Sequence, residues 1–255
     1  MNIPRFLYAL YQRRLRRQID PARVPSHIAV IVDGNRRWAK QRLQEQAAYG
    51  HRAGARKIPE FLSWCEAAGI QTATLYLLST DNLQGRDTQE LQDLFTIIED
   101  LAAQLERNGS WKVKHVGDRE ILPAALAAAL ERVETSTADH EGMHVNLAVG
   151  YGGRSEITSA VQSVIREHRE AGGTLETLPD YLTPEVIGEH LWTRGQADPD
   201  LVIRTSGEQR LSDFMIWQSA HSEFYFVEAL YPDIREVDLL RALRDYSRRH
   251  RRFGA

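Results

Sequence analysis

"HIAVIVDGNRRWAK", residues 27–40, changes character halfway along. Residues 27–32 form an apolar run with the length and composition of a buried strand. Asp33, Gly34, Asn35, Arg36, Arg37 and Trp38 follow with no spacer. In an open α/β sheet, ligands bind outside the carboxyl ends of the strands, which is where this run delivers Asp33. Gly34 lets the backbone come close to a ligand. A helix beginning near Asn35 offers free N–H groups and a dipole that favour an anion. Arg36 and Arg37 add charge-assisted donors suited to phosphate oxygens. A carboxylate in such a nest is self-defeating unless a cation bridges it to the anion. Mg2+ does this, taking one or two carboxylates and filling its shell with phosphate oxygens and water. The stretch reads as a magnesium–diphosphate site. The plain alternative is a turn or helix cap, because Asp-Gly is a turn signal.

Outward from this stretch, apolar runs alternate with segments of helical period. Strands are expected at 27–32, 72–78, 113–116, 144–149, 201–203 and 224–227, and helices at about 49–68, 89–107, 123–134, 155–170, 184–191 and 236–250. Leu91, Leu94, Phe95, Ile98, Leu101 and Leu105 keep helical spacing. Strands separated by helices imply parallel pairing and an α/β layer fold. No repeat, low-complexity tract or long linker divides the 255 residues, so a single domain spanning 1–255 is expected. A composition of 42% apolar and 26% charged residues is that of a soluble globular protein, and the net charge of -3 argues against a general nucleic-acid binder. The single cysteine, Cys65, excludes an internal disulfide and a multi-thiolate metal site. No run approaches the roughly 18 apolar residues of a membrane span and no signal peptide is visible, so a cytoplasmic location is expected.

Three more clusters carry chemistry. "LLSTDNLQGR", residues 77–86, follows a strand and offers Ser79, Thr80, Asp81, Asn82 and Arg86, although Ser-Thr-Asp-Asn is also an ordinary helix entrance. "DLVIRTSGEQRLS", residues 200–212, delivers Arg204 at a strand end, with Arg210, Leu211 and Ser212 close behind. Two arginines and a hydroxyl suit a second diphosphate; surface arginines paired with Asp213 or Glu208 are the simpler alternative. "WQSAHSEFYF", residues 217–226, carries Glu223 just before a strand. "VGYGGRSEI", residues 149–157, has only the first spacing of a dinucleotide fingerprint, so a tight strand-to-helix turn is expected rather than a Rossmann site. The basic start, "FLYALYQRRLRRQ", reads as a helix packed on the body with its arginines in water. Its second reading is a peripheral contact with an anionic membrane surface.

Taken together and in order, "HIAVIVDGNRRWAK", "GHRAGARK", "LYLLSTDN", "VGYGGR", "DLVIRTSGEQRLSDFMIWQSAHSEFYF" and the closing "RRFG" resemble the cis-prenyltransferases, the undecaprenyl diphosphate synthase family. Within that family the chain is most similar to the short-chain actinobacterial branch, the (2Z,6E)-farnesyl diphosphate synthases. The resemblance runs from about His27 to the C-terminus. It implies one α/β domain with a six-stranded, mostly parallel sheet, a hydrophobic tunnel, a Mg2+ requirement and a homodimer. It also implies condensation of isopentenyl diphosphate with an allylic diphosphate, geranyl diphosphate being the expected primer, to make a cis double bond. Asp33 matches the metal and catalytic carboxylate. Gly34, Asn35, Arg36, Arg37, Trp38 and His51 match the allylic diphosphate site. Asn82, with Ser79, matches the position of proton removal, and Thr80, Asp81 and Arg86 lie in the same segment. Arg204, Arg210, Leu211 and Ser212 match the second diphosphate loop, and Glu223 a second metal position. Residues 1–25 are expected to be a helical extension. Residues 245–255, around Arg252 and Gly254, match a tail that reaches the neighbouring subunit's site.

The chain also departs from the family's long-chain pattern. Ala47 stands where long-chain members have an arginine four residues before the His51 position, and Arg42 is the candidate replacement. Leu83 replaces an aromatic residue, and Gly85 is an insertion. Leu77 stands where long-chain members have a small residue, so a fifteen-carbon product from a ten-carbon primer is expected. Three rivals remain. A long-chain polyprenyl synthase would need a longer cavity. A coupling enzyme would join two allylic diphosphates. A non-catalytic subunit would lack Asp33 and the 204–212 loop, both of which are present.

Overall fold

The computed structural model describes residues 5–44 and 46–249. The six strands are β1 (His27–Ile31), β2 (Thr72–Ser79), β3 (Lys112–Val116), β4 (His144–Tyr151), β5 (Leu201–Arg204) and β6 (Glu223–Phe226). The helices are α1 (Arg5–Arg16), α2 (Asn35–Gln41), α3 (Ala47–Ala67), α4 (Thr80–Gly85), α5 (Thr88–Asn108), α6 (Ala124–Ser136), α7 (Gly153–Glu170), α8 (Leu178–Tyr181), α9 (Pro184–Glu189) and α10 (Glu236–Arg248). All five residues of β1 are buried, as they must be in a strand covered by helices on both faces. The sheet runs β3-β4-β2-β1-β5-β6, and every pairing is parallel, where the sequence implied a mostly parallel sheet.

Alternation along β1 sorts its side chains between two cores. Ile28 and Val30 face the larger one, with Leu62, Leu75, Leu94, Ile98 and Leu243. Ala29 and Ile31 face a smaller, aromatic one with Tyr76, Tyr151 and Phe214. Each expected strand forms. β2, β4 and β5 run one or two residues further than expected, which brings Ser79, Tyr151 and Arg204 onto the strand ends. Two segments read only as helix entrances are short helices, α2 and α4. The N-terminal helix α1 packs on α10 through Leu15, Val237 and Leu240. Residues 250–255, including Arg252 and Gly254 of the expected inter-subunit tail, lie outside the described residues.

From β1 the chain moves toward β2 and β4, while β5 lies on the other side of β1 and leads on to β6. The loops leaving β1 and β5 therefore diverge, and a crevice opens at the carboxyl ends of these two strands.

Candidate active site

The backbone of Asp33 is clamped at that crevice. Its N–H donates to the Ile31 carbonyl and to Thr205 Oγ1, both at 3.0 Å, and Thr205 Oγ1 donates back to the Asp33 carbonyl at 2.7 Å. Side-chain Oδ1 accepts the Gly34 N–H at 2.6 Å, and Oδ2 accepts Arg204 Nη2 at 2.8 Å. Arg37 Nη2 stands 3.7 Å from the same oxygen. Burial is the largest single influence and would raise the Asp33 carboxyl; the Arg204 hydrogen bond and charge, with Ser206 and the Gly34 N–H, together outweigh it and hold the group below its usual value. Gly34 is left-handed at φ 105°, and a Cβ there would sit 2.8 Å from Leu230 Cδ2, so no other residue fits this turn.

Arg204, only 4% exposed, joins Asp33 to the following loop. Its Nη1 donates to Ser212 Oγ at 2.7 Å and to the Arg210 carbonyl. In that loop Ser206, Ser212, Asp213 and Met215 all have positive φ, an arrangement that side chains adopt only when their surroundings hold them there. Part of that hold comes from the start of α7. The Asp213 carbonyl accepts the Gly153 N–H at 2.7 Å, and Asp213 Oδ1 accepts the Arg154 N–H at 3.1 Å. A Cβ at Gly152 would lie 2.5 Å from Thr80 Oγ1, and one at Gly153 would lie 2.7 Å from Ile216 Cγ1. The glycine pair of "VGYGGR" is thus a tight turn that seats the loop, as expected. The Arg210 side chain is largely exposed and pairs with Glu208.

The third wall comes from β2 and α4. Ser79 caps α4 by accepting the Asn82 N–H at 3.0 Å, which fixes the position of Asn82. Arg86 Nη1 donates to Glu90 Oε1 at 3.0 Å, His51 Nε2 lies 3.2 Å from that oxygen, and Arg36 Nε lies 3.6 Å from it. Glu90 thereby ties α2, α3 and α5 together. It was absent from the residues picked from the sequence, yet a signal existed: it lies on the face of α5 that carries the buried Leu94, Ile97 and Leu101. Burial, with the Arg86 charge adding to it, pushes His51 down to about 4, so its imidazole is neutral near pH 7. Burial also lowers Arg86, against the opposing charge of Glu90.

These walls enclose a cavity of about 350 Å³. Asp33, Gly34, Asn35, Arg36, Arg37 and His51 line it, joined by Ser79, Asp81, Asn82, Arg86, Arg204, Arg210 and Ser212. Ile31, Val32, Leu77 and Leu78 supply its apolar part. The Nε–H groups of Arg86 and Arg204 are buried without a hydrogen-bond acceptor among the described residues. A cavity with four or more guanidinium groups and unsatisfied donors is built for anionic oxygens. Tyr76, which the sequence did not mark, stacks on Phe214 at 4.5 Å, and its hydroxyl donates to the Ser212 carbonyl at 3.4 Å.

Five residues picked from the sequence stand apart from the cavity. Trp38 does not line the cavity; it lies between Tyr49, at 5.5 Å, and the Arg42 guanidinium, at 3.8 Å. Arg42 is therefore no replacement for the arginine absent at Ala47, because it is held over Trp38 and paired with Asp233 at 3.1 Å. Thr80 faces Gly152, and Leu211 packs against the aromatic core. Glu223 opens β6 and pairs with Leu201, at the edge of the sheet opposite the cavity, where Arg249 neutralises it. About 10 Å of strand separates it from the level of Arg204, so within one chain it cannot share a metal with Asp33.

Among the described residues, no group of three or more His, Cys, Asp or Glu side chains is placed to hold a metal ion alone. Asp33 still fits Mg2+, whose shell takes one or two carboxylates and is otherwise filled by phosphate oxygens and water. Its two oxygens retain lone pairs beyond the bonds from Gly34 and Arg204.

The family model described as "Putative undecaprenyl diphosphate synthase" matches residues 31–254. A (2Z,6E)-farnesyl diphosphate synthase of Thermobifida fusca is 53% identical, over 100% of this chain and 98% of its own. Its namesake from Mycolicibacterium smegmatis is 52% identical, over 97% of this chain and 95% of its own. The crystal structure of lavandulyl diphosphate synthase from Lavandula x intermedia, in complex with dimethylallyl diphosphate, superposes with a TM-score of 0.85. That chain is 36% identical, and the match covers 92% of this chain and 100% of the other. With this cavity, this parallel sheet and these matches over nearly its whole length, the chain belongs to the undecaprenyl diphosphate synthase family of prenyltransferases.

Proposed function

We propose that this enzyme condenses isopentenyl diphosphate with a short allylic diphosphate in cis configuration, and that geranyl diphosphate is its primer and (2Z,6E)-farnesyl diphosphate its product. One observation carries the reading: the buried Arg204 guanidinium joins Asp33, at the α2 entrance, to Ser212 and Arg210 in the facing loop. Two anion subsites then share one cavity, with an apolar floor between them. The allylic diphosphate lies on Gly34–Arg37 beside His51, and isopentenyl diphosphate on Arg204, Arg210 and Ser212. The names of the full-length relatives support the substrate class.

Departure of the allylic diphosphate requires its growing charge to be neutralised, and Arg36, Arg37 and the Arg86 guanidinium stand ready for that. Mg2+ held by Asp33 supplies further neutralisation when bound. Ile31, Val32, Leu77 and Leu78 keep water from the allylic carbon. Asn82, fixed by the Ser79 cap, orients the carbon that loses its proton. An amide is a poor base, so the departing diphosphate takes the proton. His51, neutral near pH 7, contributes a hydrogen bond without adding charge.

A homodimer completes the reading, and a partner subunit is the route by which Glu223 would approach a metal. Similarity to a structure complexed with dimethylallyl diphosphate favours a second reading, the coupling of two allylic diphosphates. A primer screen separates the two. Labelled isopentenyl diphosphate should be consumed with geranyl diphosphate and Mg2+, and dimethylallyl diphosphate alone should give no product. Product from dimethylallyl diphosphate alone, without isopentenyl incorporation, would favour the second reading and overturn the first.

A further inference from the structure

We propose that α1 docks the protein on an anionic lipid bilayer. The inner face of this helix is already committed. Leu15, 1% exposed, packs with Val237 and Leu240. Gln12 Nε2 donates to Glu236 at 2.6 Å, Arg16 pairs with the same carboxylate, and Arg241 Nε donates to the Tyr11 hydroxyl at 3.1 Å. The helix is thus fixed on α10 before it meets any partner.

Its outer face has nothing to do in the folded chain. Phe6, Leu7 and Leu10 are 71%, 52% and 43% exposed. The other exposed large apolar residues stand mostly alone, which is normal for a protein surface; a cluster on one helix is not. One turn further on come Arg13, Arg14 and Arg17, all exposed, and no carboxylate among the described residues pairs with them. The segment from Arg5 to Gln18 contains no acidic residue, in a chain whose net charge is -3. The positive charge of this element is therefore not a property of the chain as a whole.

Charge and apolarity together select the occupant. A second copy docked about a two-fold axis would set these arginines against their own counterparts, a repulsive pairing. A nucleic acid would satisfy the arginines and leave Phe6, Leu7 and Leu10 in water. An anionic bilayer takes both halves, with the apolar first turns entering the headgroup–acyl boundary and the basic last turn lying among phosphate headgroups. One short helix of this kind gives reversible, salt-sensitive attachment rather than anchoring.

Sedimentation of the full-length protein with vesicles tests this. Binding is expected to phosphatidylcholine vesicles containing phosphatidylglycerol, with little to phosphatidylcholine alone, and it should decline as NaCl is raised. Two variants on solvent-facing positions, Phe6→Ser with Leu10→Ser and Arg13→Gln with Arg14→Gln and Arg17→Gln, should each weaken binding by about tenfold or more. Thermal unfolding and prenyl transfer in vesicle-free buffer should stay unchanged. Absence of binding to anionic vesicles, or binding equal for wild type and both variants, would overturn the proposal. So would a Phe6→Ser/Leu10→Ser protein that loses its oligomeric state while wild type ignores vesicles, because the face would then belong to a second copy.

Discussion

Arg204 and Asp33 are the pair on which the cavity turns. Asp33→Ala should remove most turnover. It leaves a buried guanidinium short of one acceptor, so it should also cost about 1–3 kcal/mol in urea unfolding. A strand-end carboxylate read from sequence alone suggests almost no such stability cost, because its partner lies 171 residues away. Arg204→Ala should lower kcat/KM by about a hundredfold to a thousandfold for both substrates, since Arg204 organises both subsites. Arg210→Ala, at an exposed position, should mainly raise KM for isopentenyl diphosphate. Steady-state kinetics with each substrate varied in turn distinguishes these outcomes, and equal effects from Arg204 and Arg210 would contradict the bridging role. His51 gives a pH signature. Its folded pKa of about 4 lies below the ordinary value of 6.5, so between these two pH values the unfolded chain binds a proton that the folded chain refuses. Stability should be complete above about pH 6.5 and decline as pH falls toward 4, by on the order of 1–3 kcal/mol. In His51→Gln this part of the slope should vanish from unfolding curves taken at successive pH values.

At the scale of the element, β2 carries the residue proposed to limit product length, Leu77. Its register against β4 passes from Tyr76 opposite Ala148 to Leu78 opposite Val149, so Leu77 is an extra residue. This bulge turns both Leu77 and Leu78 toward the larger core, where strict alternation would have sent one to each face. Leu77 lines the cavity floor and packs against a cluster that includes Leu94 and Ile98. Displacing a packed leucine costs a growing chain roughly 1–3 kcal/mol. Leu77→Ala should lengthen the product by at least one isoprene unit in mass spectra, and an unchanged product would move the floor to Leu78 or to α5. Strand positions were legible because apolar runs end abruptly at Asp33, Ser79 and Arg204. The bulge was not, since nothing in "LYLLS" marks which leucine is extra. Trp38 and Thr80 show the same limit: adjacency in sequence does not fix which face of a short helix a side chain takes, and both turn away from the cavity.

Over the whole molecule, the site exists because β1 and β5 are neighbours whose loops part company. Alternating strands and helices made the layered parallel fold readable, and strand-end residues made most of the cavity readable. Glu90 was hidden because a carboxylate among the apolar positions of α5 gains meaning only when α3 brings His51 and α2 brings Arg36 against it. Glu223 opens β6, as its place just before an apolar run implied, but its metal role came from the family resemblance, and a parallel sheet sets that end of β6 far from Asp33. Assembly enters here, since only a second subunit could bring such a residue near. Chelation with EDTA should abolish prenyl transfer and Mg2+ restore it, while thermal unfolding changes little, because Asp33 is held by Arg204 without an ion. Full turnover in metal-free buffer would remove Mg2+ from the account.

The stereochemistry and length of the product test the central claim most directly. The enzyme is incubated with geranyl diphosphate, isopentenyl diphosphate and Mg2+, the products are dephosphorylated, and the alcohols are compared with standards by gas chromatography and mass spectrometry. The proposed seating of two diphosphates across Arg204, above Leu77, predicts (2Z,6E)-farnesol as the main product. (2E,6E)-farnesol, or no incorporation of isopentenyl units at all, would contradict it.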